Sequence, residues 1–379
     1  MKKIIYFMII TILLVSFNGC SKNKEDNKAD NLTLTPSPSP IVTLPPEEVV
    51  DEDTSGTDSQ TDIEERKLID YYPIQADTEY VYEGEGNEYA SYTRYLDYVD
   101  IEKNKLQTRT NNGGTETVRV IELRDGKLSV VYKVDECYYR DSFMDKTVDP
   151  TASEVLLMEP LVKGTEWNLP DGRKRYISEL EVQIDTPSGE YKALEVTTKE
   201  QGGTNKDYYA PGVGLVKSIY SSDGLEVTSS LSKINTDTPF TRTLDRYIPD
   251  SDEKLYVEPL TLTFKTGDVT RLVLQEALKK EGAKESYLPL ISANTKINSL
   301  YLGEDKIVYA DFSIELTKDM HLGSGYESLT LEGLTNTLGS YYGVEKVYIT
   351  VDGRPYESGH ILMKKGETFQ VNMDNVVRE

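Results

Sequence analysis

The sequence is poor in the residues from which most catalytic and metal sites are built. Its 379 residues include only two histidines and two cysteines. Because histidine is the usual acid–base catalyst and zinc ligand at neutral pH, imidazole catalysis and a His-rich metal site have little material here. Positive charge is also scarce, since 42 Lys+Arg stand against 65 Asp+Glu and the formal charge is −23. A chain this acidic is repelled by nucleic acid and anionic lipid, so we expect no nucleic-acid partner.

Long hydrophobic runs are missing as well, apart from one at the N-terminus. Lys2 and Lys3 precede an apolar run from Ile4 to Val15 that only Thr11 interrupts. About twelve helical residues span roughly 18 Å, whereas the hydrocarbon core of a bilayer is about 30 Å thick. A positive start followed by a short apolar run is typical of an export signal.

The residues after this run, Ser16-Phe17-Asn18-Gly19-Cys20, resemble the lipobox of bacterial lipoproteins. In a lipobox, a small residue precedes a cysteine that is diacylated and becomes the first residue of the mature chain. The resemblance implies a signal peptide over residues 1–19 and acylation of Cys20, which would hold the protein in membrane lipid on the outer face of the cell membrane. Phe17 and Asn18 depart from the usual pattern, and the alternative is a plain secretion signal or an uncleaved anchor.

The next segment contains no aromatic residue between Ser21 and Arg66. Its first half is rich in proline, and its second half is rich in aspartate and glutamate. Such a segment cannot bury enough apolar area to offset the entropy of ordering it. We therefore expect residues 20–69 to be a disordered tether between the anchor and the folded domains.

Residues 70–235 show the alternation of side chains that is typical of β-strands. From Arg175 to Asp185, Tyr176 and every second residue after it share one face, as in a half-buried strand. Asp125-Gly126 and Asp223-Gly224 supply the positive φ angles of tight hairpins, so consecutive strands should pair antiparallel. We predict an antiparallel all-β domain of roughly eight to ten strands.

This middle domain holds most of the tyrosines, with sixteen of the 27 between Tyr71 and Tyr220. The tyrosine ring is apolar with a polar tip, so exposed tyrosines could stack on sugars or bind a partner. The interpretation that we favour is that they fill a modest β core. Cys137 lies in an apolar run of the same domain and has no disulfide partner if Cys20 is acylated. We interpret Cys137 as a small buried hydrophobic residue.

The C-terminal residues, 257–379, follow a predicted linker at 236–256 and change to a mixed pattern. The order β-α-β-β-α-β predicts a compact α+β domain with its helices on one side of a sheet. Asp268 is placed to cap the start of the first helix, and Gly343 to stop the second. The predicted elements are a strand at 260–264, a helix from 269, strands at 297–302 and 306–312, a helix through 331–342, and a strand at 344–351.

A set of motif residues occurs in a fixed order along this domain. They are Leu274 with Ala277-Leu278, Leu288-Pro289, Thr295-Lys296-Ile297, Val308 with Asp311-Phe312-Ser313, Gly323-Ser324 with Glu327, Leu331, Leu334, Asn336-Thr337-Leu338, Val344, Val347, Ile349, Val351-Asp352-Gly353, and Gly359-His360. In this order they resemble a GerMN domain, the module of GerM-type sporulation and spore-germination lipoproteins. Two departures are Ser292-Ala293-Asn294 in place of the usual proline-glycine, and a single copy where some relatives carry two.

The resemblance implies an envelope role without known catalytic machinery, and a fold similar to ring-building motifs of sporulation complexes. Envelope proteins are then the expected partners, and self-association of separate chains is a further expectation. For the polar and turn-forming residues of the family pattern we expect structural roles; these residues are Asp311, Ser313, Asn336, Thr337, Asp352 and Gly353.

The sequence offers one possible catalytic arrangement. Asp311, Ser313 and His321 could form a nucleophilic triad, but no strained Gly-x-Ser-x-Gly turn surrounds Ser313. We expect Ser313 to bond to the backbone of the following turn instead. The residues around Ser324 could attract an anion, although a helix cap at Ser324 explains them and is favoured. Neither histidine has a metal-ligand spacing, so we expect no enzyme activity, metal or cofactor.

The leading hypothesis is therefore a non-enzymatic lipoprotein on the outer face of the cell membrane. Its β domain and its GerMN-like domain would bind proteins of a sporulation or germination assembly. The alternative is a lipoprotein that binds or senses wall glycan or a small ligand through the tyrosines of the β domain. A hydrolase acting on the wall lacks residues to carry the reaction.

Overall fold

The computed structural model describes residues 67–320 and 323–378. The predicted signal peptide, Cys20 and nearly all of the predicted tether lie outside the described residues, as does His321. Within the described residues the fold is α+β, with a large antiparallel sheet followed by a mixed C-terminal part, as the sequence predicts. The described residues all fall within one compact unit, so the two parts are in contact.

The first part is a twelve-stranded sheet in which every neighbouring pair is antiparallel. It has more strands than the eight to ten expected from the sequence. The strands are β1 (Glu79–Glu85), β2 (Tyr92–Asp100), β3 (Lys105–Asn111), β4 (Glu116–Arg124), β5 (Lys127–Val134), β6 (Glu154–Met158), β7 (Glu166–Asn168), β8 (Lys174–Thr186), β9 (Gly189–Glu200), β10 (Gly203–Ala210), β11 (Gly214–Ser222) and β12 (Leu225–Asn235).

The sheet turns back on itself because its first and last strands in the chain pair with each other. The spatial order runs from β6 through β1, then from β12 back to β7, so β6 and β7 are the two edges. Side-chain hydrogen bonds join those edges at the Val155 carbonyl of β6. This carbonyl accepts from Trp167 Nε1 of β7 at 3.0 Å and from the Arg175 guanidinium of β8 at 2.8 Å. The sheet is thus an open barrel whose edges are closed by side-chain hydrogen bonds.

The hairpin turns agree with the sequence, whereas one strand does not keep its predicted alternation. Asp125 and Gly126 have φ of 52° and 66° and form the two-residue turn between β4 and β5. On β8, the predicted single face is interrupted by register shifts between Ile177 and Val182. Ile177 is consequently buried, while Tyr176 and Ser178 are half-buried. Each bulge moves the following side chains to the opposite face, which composition alone does not reveal.

Of the sixteen tyrosines between Tyr71 and Tyr220, six are buried, eight are half-buried and two are exposed, so the favoured interpretation as core filler holds for part of them. Tyr80, Tyr82 and Tyr209 are each at most 5% exposed. The guanidinium of Arg94 lies 4.3 Å from the centre of the Tyr80 ring, an arrangement that stabilises a buried cation. Cys137 is also buried, and burial raises the pKa of its thiol, so it behaves as the small hydrophobic residue predicted.

The start of the described chain is bound to the barrel. A 3₁₀ helix, Leu68–Tyr71, buries Leu68 and Tyr71 to 2% and 1% exposure. The carbonyl oxygen of Asp70 accepts a hydrogen bond from Gly212 N at 2.6 Å. This contact attaches the N-terminal segment to the turn between β10 and β11.

The C-terminal part contains the predicted β-α-β-β-α-β order from β14 to β17. Its further elements are a preceding strand, one extra short helix and three short strands at the end. The elements are β13 (Phe240–Pro249), β14 (Leu255–Phe264), α1 (Thr270–Lys279), β15 (Ile297–Leu302), β16 (Ile307–Phe312), α2 (Glu315–Lys318), α3 (Ser324–Tyr342), β17 (Lys346–Val351), β18 (Arg354–Pro355), β19 (Phe369–Gln370) and β20 (Val376–Val377).

The segment predicted as a linker, 236–256, contains β13, so that prediction is wrong for most of its length. β13 pairs antiparallel with β14 over ten residue pairs, from Phe240 opposite Phe264 to Pro249 opposite Leu255. Pro239 lies just before the strand and Pro249 ends it, whereas Asp245 lies within it. Its middle buries Leu244 and Ile248, and the pairing with β14 is what orders it.

Helix α3 lies at the centre of the C-terminal part, between two β layers. Leu334 and Leu338 share one apolar core with Leu262 of β14 and with Val308 and Ile349 of the five-stranded sheet. Because α3 is buried on nearly all sides, and some of its buried residues, such as Thr335, Asn336 and Thr337, are polar, it has no single apolar face. The helices pack on one side of the five-stranded sheet, as predicted.

The helix ends match the predictions only in part. Gly343 ends α3 with a left-handed φ of 68°, as expected of a glycine stop. Asp268 does not cap α1, because its carboxylate accepts from Lys265 N at 2.8 Å in the preceding turn. Ser324 does not cap α3 either: it is the first helical residue, and Gly323 occupies the cap position without a side chain to bond.

Candidate interaction site

Three of the family-pattern residues meet at one end of the five-stranded sheet. One oxygen of the Asp311 carboxylate accepts from the Thr350 hydroxyl at 2.6 Å and from Gly353 N at 2.7 Å. The other oxygen accepts from the Asn298 amide at 2.9 Å. Asp352 and Gly353 have φ of 46° and 73° and form the two-residue turn between β17 and β18. Asp311 therefore holds this turn in place, which is a structural role.

Ser313 follows Asp311 by two residues but has different partners. Its hydroxyl accepts from Lys296 N at 2.9 Å, and its own N–H donates to the Lys296 carbonyl at 2.9 Å. The predicted bond to the following turn is thus replaced by a bond to the chain that leads into β15. The Ser313 side chain also hydrogen-bonds the Glu315 carboxylate, and this bond lowers the pKa of Glu315. Ser313 thus ties together the chain before β15 and the start of α2, which is a structural role.

Asn336 and Thr337 lie elsewhere, fully buried within α3. The Asn336 side chain exchanges two hydrogen bonds with the backbone of Asn372, at 2.6 and 2.9 Å, and so attaches the C-terminal segment to the helix. The Thr337 hydroxyl accepts from Tyr247 N at 3.0 Å and donates to the Gly333 carbonyl at 2.8 Å. These residues satisfy buried backbone groups and attach β13 to α3.

The open face of the five-stranded sheet carries a row of tyrosines that the sequence analysis did not single out. Tyr301, Tyr309 and Tyr348 are cross-strand neighbours on β15, β16 and β17. The Tyr301 and Tyr309 rings are stacked with centres 5.2 Å apart, and the Tyr348 ring meets Tyr309 edge-on at 5.7 Å. Tyr301 is 49% exposed. We call these three residues the tyrosine row.

Polar groups flank the tyrosine row along the strand direction. Asp311, with its hydrogen-bonded turn, lies two residues beyond Tyr309 on β16, about 7 Å away. On the other side, the Tyr309 hydroxyl donates to the Asp305 carboxylate at 2.7 Å, and this bond raises the pKa of Tyr309. An amphipathic aromatic patch with polar groups around it has the composition of a protein-contact surface.

A groove of about 810 Å³ lies where the barrel meets the C-terminal part. One wall is the barrel segment around Tyr138 and Tyr139, and another is the C-terminal turn of α3 with Tyr341 and Tyr342. Its charged residues are of both signs; they are Glu136, Arg242, Asp305, Lys306, Glu345 and Lys346. The groove thus has no net preference for an anion or a cation.

Beneath the groove, Arg140 connects the two parts of the protein. Its guanidinium is 1% exposed and donates to the carbonyls of Asp268 and Lys265, at 2.6 and 3.1 Å, next to α1. It also donates to the Asp97 carbonyl on β2 at 2.8 Å. The backbone N–H and carbonyl of Arg140 bond to the Tyr341 hydroxyl of α3 at 3.1 and 3.2 Å. One residue therefore reaches the barrel, α1 and α3 together.

A buried ion-pair network surrounds Arg140. The Asp97 carboxylate lies 3.5 Å from Arg140 Nε and 3.2 Å from the Arg109 guanidinium. Arg109 also pairs with Glu116 at 2.8 Å. Glu116 in turn binds Arg242 of β13. Buried charges of this kind are stable only when each has partners, so the network fixes how the barrel sits on the C-terminal part.

The described residues show neither a metal cluster nor a membrane-spanning helix. Among residues 67–320 and 323–378, no group of three or more His, Cys, Asp or Glu side chains could hold a metal ion. In the same ranges, every helix is too short or too polar to cross a bilayer.

Comparison with known proteins finds a family model that matches most of the C-terminal part. The family model described as Germane, sporulation and spore germination, matches residues 241–357, beginning inside β13. The tandem GerMN domains of the sporulation protein GerM from Bacillus subtilis are 19% identical, and the match covers 31% of this chain but only 41% of that chain, with a TM-score of 0.23. The first of those domains alone is 21% identical over 30% of this chain and 86% of that chain, with a TM-score of 0.24.

A third solved structure, a protein with a YmcC-like fold from Bacteroides fragilis, is 14% identical over 44% of this chain and 99% of that chain, with a TM-score of 0.28. No curated protein matches the chain.

Proposed function

We propose that the protein is a non-enzymatic lipoprotein outside the cytoplasm. It would serve as a contact module in a sporulation or germination assembly of the envelope, because residues 241–357 match the Germane family of sporulation and spore germination. In this proposal Cys20 carries the lipid. The Germane domain then presents its open sheet face to protein partners, and the barrel supports that domain.

The observation that carries the proposal is the tyrosine row on a Germane domain. Tyr301, Tyr309 and Tyr348 form a continuous aromatic surface across three strands, while the opposite face of the same sheet is filled by helices. Tyrosine is enriched at protein interfaces because it buries a large ring and keeps a hydroxyl for hydrogen bonding. The pairing network around Arg140 supports the same role, since a rigid joint holds this surface in a fixed orientation.

We expect a double substitution in the tyrosine row, Tyr301→Ser with Tyr309→Ser, to abolish recovery of envelope proteins in a cross-linked pull-down with the full chain as bait. Both rings lie on the open face, so the thermal midpoint of unfolding should change by only a few degrees. The matched control is Tyr89→Ser, which removes a tyrosine that is 53% exposed on the barrel. Equal recovery by the double variant and by this control would count against the tyrosine row as the contact surface.

The lipid anchor is tested separately. Metabolic labelling with a fatty-acid analogue should label the unmodified chain and leave Cys20→Ala unlabelled, because acylation needs that thiol. Cys137→Ala should remain labelled, since that thiol is buried and 1% exposed. Label that survives in Cys20→Ala, or is lost in Cys137→Ala, would contradict acylation at Cys20.

A second candidate function is recognition of wall glycan or a small ligand by exposed tyrosines. The half-exposed rings of Tyr89 on the barrel and Tyr138 at the groove, 53% and 50% exposed, are the barrel positions that favour it. Co-sedimentation with purified wall material distinguishes the two functions. Binding that is lost in Tyr89→Ser or Tyr138→Ser, with no protein recovered in the pull-down, would favour glycan recognition over a protein contact.

A further inference from the structure

The joint between barrel and Germane domain contains a carboxylate that faces α3, that of Asp141. Asp141 belongs to the chain between β5 and β6, directly after Arg140. Its carboxylate accepts from the hydroxyl of Tyr342, in the last turn of α3, at 3.4 Å. The Asp141 carbonyl accepts from the Gln107 side chain of β3 at 2.8 Å, and that same side chain accepts from Phe143 N at 2.7 Å. The backbone around Asp141 is thus attached to the barrel, while its carboxylate points to the Germane domain.

Among the titratable and charged groups around Asp141, the Asp141 carboxyl group is the one that changes its protonation near neutral pH. They are Tyr98 on β2, Tyr139 and Arg140 on the same segment, and Tyr341 and Tyr342 on α3. Burial raises the pKa of each of the four tyrosines above its ordinary value, so they stay neutral. The Arg140 guanidinium donates to the carbonyls of Asp268 and Lys265 and pairs with Asp97.

Burial raises the pKa of Asp141 to about 7, against the opposing effects of the Tyr342 hydroxyl, Arg140 and the Ser142 N–H. In an unfolded chain the pKa of an aspartate is about 3.9. At a pH between these two pKa values, Asp141 binds a proton in the folded protein but not in the unfolded chain. Stability at the joint therefore rises as pH falls through about 7, and it levels off below the unfolded value.

We propose that Asp141 is a proton-operated latch between the barrel and the Germane domain. When the carboxyl group is neutral, the segment around it packs against the last turn of α3 and the two parts are locked together. When the group ionises, a desolvated charge faces a ring of neutral tyrosines, and the segment loosens from α3. Because Tyr139, Tyr341 and Tyr342 are walls of the groove at the joint, the latch also sets how open that groove is.

Hydrogen exchange measured by mass spectrometry on the full chain tests this latch. Peptides covering residues 137–143 and 337–344 should exchange more slowly at pH 6 than at pH 8, after correction for the intrinsic pH dependence of exchange. The unfolded aspartate stays ionised over this window, and pH 6 lies one unit below the folded pKa of about 7, so protection should increase about tenfold. Asp141→Asn, which mimics the neutral group, should show the protected state at both pH values.

The matched control is Asp145→Asn, which removes the same charge four residues away at an exposed position. This variant should keep the full pH response. The latch is overturned if Asp141→Asn responds to pH as the unmodified chain does, or if it is less protected than the unmodified chain at pH 8.

Tyr342→Phe provides a second test that does not depend on the Asn variant folding. The Tyr342 hydroxyl stabilises the ionised form of Asp141, so its removal should move the midpoint of the pH response upward. A midpoint that stays in place or moves downward would contradict the assignment of the response to Asp141.

Discussion

Replacement of Arg140 by methionine is expected to lower the free energy of unfolding by about 3–5 kcal/mol, because it leaves a buried charge without its partner. Arg140 is 1% exposed and supplies a cation to Asp97, which is also 1% exposed. The substitution also removes donors from the carbonyls of Lys265 and Asp268 at the start of the Germane helices. Chemical denaturation of the full chain, followed by tyrosine and tryptophan fluorescence, measures the loss.

The matched control is Arg124→Met, which removes a guanidinium that is 62% exposed and 3.6–3.7 Å from its acidic partners. Exposed ion pairs contribute at most about 1 kcal/mol, so this control should remain close to the unmodified chain. Equal losses in the two variants would mean that the buried network around Arg140 does not hold the joint. A second, separate transition for the Germane domain in Arg140→Met would identify the joint as the part that fails.

Replacement of Gly333 by alanine is expected to lower the free energy of unfolding by about 1–3 kcal/mol through overpacking. A Cβ atom at this position would lie 2.2 Å from the Tyr247 carbonyl oxygen and 3.1 Å from Leu255 Cδ2 and Leu290 Cδ2. The first of these atoms belongs to the backbone of β13, so no change of rotamer relieves the contact. By helix propensity alone, alanine should instead stabilise α3 by about 1 kcal/mol, so the sign of the measured change decides which effect prevails.

Gly325→Ala is the matched control in the same helix. A Cβ atom there meets no heavy atom within 4 Å, so only the helix propensity changes and the stability should stay equal or rise slightly. Both variants are compared by the midpoint and slope of urea unfolding. A gain in stability for Gly333→Ala would show that β13 does not rest against α3 as closely as the structure has it.

Much of the fold could be predicted because its signals are local. The predicted strand at 297–302 is the observed β15, and Gly343 ends α3 as expected. Alternation, turn residues and a glycine stop each depend on only a few neighbouring residues. The predicted order of elements in the C-terminal part is found from β14 to β17, and the Germane family model matches residues 241–357.

The errors come from interactions between distant residues. Proline and aspartate near the ends of β13 predict a linker, and only pairing with β14 and packing against α3 make this segment a strand. On β8, bulges exchange the two faces, and their positions follow from the register with β9. Local composition contains neither kind of information.

The candidate surface was only partly accessible from the sequence. Tyr309 alternates with the buried Val308 and Ala310, so its outward direction was predictable. That it meets Tyr301 and Tyr348 depends on the register of three strands. Arg140 is a harder case, since it bonds to Asp268 across 128 residues, and an arginine in a loop is by default assumed to be solvated.

The attachment of the first described residues to the barrel determines where mechanical load enters the folded region. Any pull transmitted along the chain before Lys67 reaches Leu68 and Tyr71 first, then the hydrogen bond from Gly212 N to the Asp70 carbonyl. That force is delivered first to the hairpin of β10 and β11, on the barrel. The C-terminal part receives it later, through Asp77, which bonds to Thr266 at 2.9 and 2.7 Å, and through the joint at Arg140. Tension on the N-terminus would therefore strain the supporting domain before it disturbs the surface offered to partners.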